Sequence, residues 1–211
     1  MKPGIILYGL LAATLAGCAG GGADNVVDAH AMAELREVLN RRPSLPDGFA
    51  QRPEQAWRVP FGRLDKNCGS ALDAAAGHAP QEGLTGQAAV SYQGDGLGER
   101  AGVGLARYAG DEAETSFDAL SDGLESCREI RVAGGTDLRA RRLDIGDAGR
   151  SGDEVVGTRL RGRLNGYPYA LDVVLSRTGD TLVSVVHAGM TDVDRDRTKK
   201  LVAAVLSMST A

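Results

Sequence analysis

The chain has 211 residues and a formal net charge of −4, with 43% of residues hydrophobic and 25% charged. That balance excludes a disordered polyelectrolyte, and the acidic surplus, with no polybasic run, argues against nucleic acid as a partner. Aromatic residues make up only 4%, with Trp57 the single tryptophan, so aliphatic side chains must build the core.

The first elements in chain order are export signals. Lys2 precedes an apolar run from Ile5 to Leu15. It is too short to span a bilayer core of about 30 Å but suits the central region of a leader peptide. Leu15-Ala16-Gly17-Cys18 then matches a bacterial lipobox, which predicts cleavage before Cys18 and acylation of that residue with palmitate-type chains. Residues 1–17 are read as a lipoprotein signal peptide, and 18–25, with Gly20-Gly21-Gly22, as a flexible tether. Residues 26–211 are read as a single domain anchored on the extracytoplasmic face of the cell membrane. The alternative is an ordinary cleaved leader in which Cys18 is incidental. With Cys18 acylated, Cys68 and Cys127 remain as an even pair in an oxidising compartment, which predicts a disulfide. Cys68 as a nucleophile, in Asn67-Cys68-Gly69-Ser70, is the competing reading, and no Cys–His signature supports it.

Val27, Met32, Leu35, Val38 and Leu39 recur at helical spacing and predict an amphipathic helix over 26–39, ended by Arg41-Arg42-Pro43. The prolines from Pro43 to Pro60 predict an irregular surface segment. A short helix over 64–76 would carry Cys68 and stop at Gly77. Ala88, Val90 and Tyr92, then Ala101, Val103 and Leu105, alternate on either side of Asp95-Gly96 and predict a hairpin. Ala113, Phe117, Leu120 and Leu124 form a helical stripe that runs to Cys127. Five strands follow, over 128–133, 137–145, 153–163, 168–178 and 181–188, separated by Gly134-Gly135, Gly146 to Gly152, Asn165-Gly166 and Gly179-Asp180. The last two are apolar on both faces from Tyr169 to Leu175 and Leu182 to Val186, which predicts central positions under cover. Thr191-Asp192-Val193-Asp194 resembles a capping box, with Thr191 as the cap of a closing helix that packs through Leu201, Val202, Val205 and Met208. Consecutive hairpins with interspersed helices predict an α+β fold, a twisted and mainly antiparallel β-sheet flanked by helices with one disulfide.

Leu45-Pro46-Asp47-Gly48-Phe49, Trp57, Cys68, the strand ending Ala106-Arg107-Tyr108, and the helix from Ala113 to Cys127 with Phe117 and Leu120 stand in an order that resembles the PknH-like extracellular sensor domain family. The resemblance covers residues 45–208. That family includes the sensor domain of a serine/threonine kinase and actinobacterial lipoproteins that carry the domain alone. It implies a twisted antiparallel sheet between helices and a cleft for an unidentified ligand. It also implies a departure: the kinase sensor domain has two disulfides, whereas here only Cys68 and Cys127 match. No kinase domain accompanies this one, so a signal would have to pass through another protein.

Candidate chemistry is sparse. His30, His78 and His187 have no ligand spacing, and no metal or cofactor is expected. Asp192, Asp194 and Asp196 imitate the start of a calcium loop, but Arg197 stands where glycine is needed and Ala203 where glutamate is. Carboxylates there suit the positive end of a helix instead. Gly94-x-Gly96 and Gly102-x-Gly104 lack a following helix to receive phosphate, and two common hydrolase signatures, Gly-x-Ser-x-Gly and Ser-x-x-Lys, are missing. His187, on a predicted central strand, reads as a hydrogen-bonded strand residue rather than a general base. One constellation remains. Arg159, Arg161 and Arg163 alternate on one predicted strand, and Arg139 and Arg141 alternate on the strand before it. If the strands pair, they form a patch suited to bidentate recognition of carboxylate or phosphate. The plainer reading is a solvated face paired with Asp144, Asp153 and Glu154.

The expectation is a non-enzymatic, lipid-anchored, extracytoplasmic ligand-binding or sensor-type module. Its partners would be the membrane, through the N-terminal lipid, and a small-molecule or cell-envelope ligand. The alternative is a structural or protein-interaction lipoprotein that modulates a membrane protein partner. An envelope hydrolase is the weakest reading, because no nucleophile–base pair can be named.

Overall fold

The computed structural model describes residues 27–41, 44–62, 64–146 and 154–209. The leader, Cys18 and the tether lie outside the described residues, as does Asp153. The elements are α1 (Ala29–Asn40), α2 (Lys66–Ala75), β1 (Leu84–Gln93), β2 (Arg100–Tyr108), α3 (Glu112–Ser126), β3 (Glu129–Val132), β4 (Thr136–Arg142), β5 (Glu154–Leu164), β6 (Tyr167–Thr178), β7 (Thr181–Gly189) and α4 (Arg195–Ser209). All seven strands join one sheet in the order β1-β2-β7-β6-β5-β4-β3, with every neighbouring pair antiparallel. The fold is α+β. No helix among the described residues is long and apolar enough to cross a membrane.

The period-2 pattern decides which side chains go to which face. On one face, Leu138, Leu160, Leu171, Val173, Leu182 and Val186 pack under α2 and α3. On the other, Val103, Leu105, Val174, Val183 and Val185 pack under Leu35 and Leu39 of α1 and Leu201, Val202, Val205 and Leu206 of α4. β6 and β7 lie toward the middle of the sheet and are covered on both faces, which is why their sequences are apolar almost throughout. Between β5 and β6, Asn165 and Gly166 both have positive φ (50° and 85°), the backbone that a two-residue hairpin of matching twist requires.

Cys68 of α2 and Cys127, directly after α3, form the disulfide across a separation of 59 residues. It joins the two helices that cover one face. Asp65 caps α2, accepting hydrogen bonds from the backbone N–H groups of Asn67 (3.0 Å) and Cys68 (3.1 Å).

Two details differ from the sequence expectations. α4 is capped by Asp194, not Thr191: its Oδ1 accepts from the N–H groups of Asp196 (2.7 Å) and Arg197 (3.2 Å). These bonds hold the Asp194 carboxyl below the usual aspartate range. A cap must lie next to the first helical turn, and the chain through Asp192 and Val193 is still non-helical. The proline-rich segment before α2 is also more than a surface run. It joins the β1 edge through bridges Phe49–Gly94 and Glu54–Ser91, and buries Phe49 and Trp57. Trp57 sits against Gly102, where an added Cβ would lie 2.9 Å from the Trp57 Cβ.

Candidate functional site

β4 and β5 do pair, with Arg139 opposite Arg161, Arg141 opposite Arg159, and Asp137 opposite Arg163. Leu138 and Leu160 fill the core on the far face, so the alternating arginines all project from the near one. α1 and α4 cover β1, β2, β6 and β7 on this near face. The five arginines have different fates there. Arg159 is buried and donates through Nε and Nη2 to Asp172 of β6, both at 2.6 Å, with a further bond from Nη2 to the Val193 carbonyl at 3.0 Å. Arg161 pairs with Asp192 at 3.1 Å, and Arg163 donates to the Gly166 carbonyl at 2.8 Å. Arg139 and Arg141 are exposed, with no ion pair among the described residues. The carboxylates that engage the stripe are therefore Asp172 and Asp192. Asp144 caps the Gly146 N–H and Glu154 pairs with Arg177.

Around the end of β4 the surface turns inward. A pocket of about 220 Å³ lies between the end of α3 and the β4–β5 pair. Its wall carries Arg128, Arg141 and Arg142, with Thr158 adding a hydroxyl, Cys127 fixing the α3 end, and Glu125 as the one carboxylate. None of these three arginines has an ion-pair partner among the described residues. Arg128 and Arg142 had no place in the sequence reading, because neither shares the strand alternation that marked the stripe. Arg141 alternates to the other face of β4, so the guanidiniums of Arg128 and Arg142 against one exposed carboxylate form a site for carboxylate or phosphate, which they can hold through paired N–H···O bonds.

A second cluster is built for another purpose. Asp172 and His187 stand directly opposite each other on β6 and β7, the ionisable residues in two otherwise apolar stretches. His187 Nδ1 is 2.8 Å from Thr198 Oγ1 and its Nε2 is 2.8 Å from Glu99 Oε1. The Thr198 hydroxyl donates to Asp172 Oδ2 at 2.7 Å, and Arg197 donates to both Glu99 and Asp95. Burial pushes the His187 pKa down, opposed by the hydrogen bond and charge of Glu99. The Arg197 guanidinium also lies 4.6 Å above the Phe49 ring and donates to the Asp47 carbonyl at 2.6 Å, so Asp47-Gly48-Phe49 closes the network from outside. His187, Thr198 and Asp172 have no solvent exposure. With these three side chains buried, the cluster is a polar network inside the core, in which Thr198 joins His187 to Asp172.

Neither a protein-family model nor a curated relative matches the sequence. Among solved structures, the extracellular domain of PknH from Mycobacterium tuberculosis superposes with a TM-score of 0.50 at 12% identity, over 90% of this chain and 95% of its own. The chain has the fold of the PknH extracellular domain. An uncharacterised protein from Mycobacterium smegmatis, described as an Rv0999 ortholog, is similar over 85% of this chain and 95% of its own, with 17% identity and a TM-score of 0.47.

Proposed function

We propose that the protein is a non-enzymatic recognition module of the cell envelope, held to the membrane by a lipid at Cys18, that binds an anionic ligand at the arginine-rich end of its sheet. One observation carries this reading: Arg128 and Arg142 border a pocket of about 220 Å³ beside α3, and neither has an ion-pair partner among the described residues. Arg139 and Arg161 lie directly opposite each other on the other face, where Asp192 pairs with Arg161. A disulfide, which persists outside the reducing cytosol, supports the extracytoplasmic placement. The pocket suits a phosphate- or carboxylate-bearing group of small size, such as the repeating unit of an anionic envelope polymer.

Tripolyphosphate at constant ionic strength is a suitable probe. It should raise the melting temperature of the parent protein, and Arg128→Ala/Arg142→Ala should weaken binding at least tenfold. Arg163→Ala, outside the pocket, should leave it within twofold. Equal affinity in parent and double variant would overturn the reading. Charge reversal at Arg159 is not a valid test, because it breaks a buried ion pair and would lower binding through the fold.

A further inference from the structure

The sheet ends in β1 on one side and β3 on the other. β3 is four residues long and carries Glu129 and Arg131, features that discourage further strand pairing. β1 is ten residues long, and among the described residues its outer edge is paired at its two ends. At one end the Thr85 carbonyl accepts from the Asp28 N–H at 2.7 Å. At the other, Ser91 exchanges backbone bonds with Glu54 (2.7 and 3.3 Å), and the Gln93 carbonyl accepts from the Ala50 N–H at 2.7 Å. Thr85, Ser91 and Gln93 thus point their backbone groups outward, and strand geometry puts Gln87 and Ala89 in the same phase.

At Gln87 to Val90 the edge faces a groove of about 600 Å³. The C-terminal half of α1 forms one bank, with Arg36, and the end of α2 forms the other, with Gly77 and His78. Trp57 and Arg58 lie at its end. Gly77 permits the close approach of that second bank, since a Cβ there would come 2.5 Å from the Ala89 Cβ. Of the residues lining the groove, Arg36 and Arg58 are the charged ones at neutral pH, and neither has an ion pair among the described residues.

We infer that this groove binds a short extended segment of a partner protein bearing acidic side chains, which adds to β1 between the chain's own two edge contacts. Backbone hydrogen bonds to Gln87 and Ala89 would supply affinity, and Arg36 and Arg58 would select for carboxylates. Phe49 and Glu54 already bridge to this edge and show that it accepts backbone pairing. The site is distinct from the arginine pocket, which lies toward the other end of the strand order, so the two stand or fall separately.

Trp57, the single tryptophan, supplies the readout. An acetylated and amidated Val-Asp-Val-Asp-Val-Asp peptide should change its fluorescence saturably at submillimolar concentration, and the matching Val-Lys peptide should not. Arg58→Glu, at an exposed position, should weaken binding about tenfold with the melting temperature unchanged. Ala89→Pro, which removes an outward N–H, should abolish binding. No response to the acidic peptide, an equal response to the lysine peptide, or undiminished binding in Arg58→Glu would each overturn the inference. Concentration-dependent dimerisation of the parent, weakened by Arg58→Glu, would overturn it in favour of a second copy of this chain.

Discussion

Asp172→Ala removes the centre of the buried polar network. Asp172 accepts two bonds from Arg159 and one from Thr198, and it has no exposure. Without it, the Arg159 guanidinium keeps the Val193 carbonyl at 3.0 Å and the Asp192 carboxylate at 3.9 Å. Breaking a buried pair by deleting one partner costs about 3–5 kcal/mol, because the other charge stays buried and uncompensated. Asp192 is half-exposed and already engaged with Arg161, so its compensation is partial and places the loss near 3 kcal/mol on that scale. Thr198 contributes little to the loss, since its hydroxyl can donate to the Asp194 carbonyl at 3.0 Å. At roughly 2–4 °C per kcal/mol for a domain of this size, the melting temperature should fall by about 6–12 °C. The deciding measurement is a cycle of urea denaturations followed by circular dichroism, with Asp172→Leu, Arg159→Met and the double variant. The double variant should be at least about 2 kcal/mol more stable than Asp172→Leu alone, because no charge is left buried. Additive losses would refute the reasoning and show that the pair itself carries no coupling.

Reduction of Cys68–Cys127 frees a denatured chain that was cross-linked over 59 residues, and should cost about 4 kcal/mol in the loop-entropy picture. Thiol titration of the unreduced, denatured domain from residue 26 onward should find no free thiol, and a stability unchanged by reductant would count against the staple. For His187, burial puts the folded pKa below its ordinary value of 6.5. The unfolded chain therefore takes up a proton first, and the contribution of neutral His187 is complete above about pH 6.5 and lost as pH falls toward the folded value. The urea midpoint should decline as pH falls below 6.5, starting above the range where Asp95 and Asp194 act, since both are held below the usual aspartate value. His187→Gln should flatten that decline, and an unchanged slope would assign it to other groups.

The elements were legible because each obeys one period, and the alternation that placed Leu160 in the core also placed Arg159, Arg161 and Arg163 together. Alternation names a face but not what covers it, so it could not separate the buried Arg159 from the exposed Arg161. A signal did exist on the neighbouring strand. Asp172 sits in Ala170-Leu171-Asp172-Val173-Val174, and a carboxylate in such a run must find a cation, since an isolated buried charge is too costly to keep. His187 in Val185-Val186-His187-Ala188 makes the same demand, and register brings the two face to face. What sequence could not supply were the partners from elsewhere in the chain: Glu99 from the β1–β2 turn, Thr198 from α4, and the Asp47 carbonyl from the proline-rich segment. Those contacts are long-range and depend on how α4 docks. The same holds for the pocket, where Arg128 follows α3 and meets Arg142 only because the disulfide and the β4–β5 pairing bring those ends together. Buried charges were thus predictable one residue at a time, whereas Arg128 and Arg142 become a candidate site only once the fold brings the end of α3 beside the β4–β5 pair.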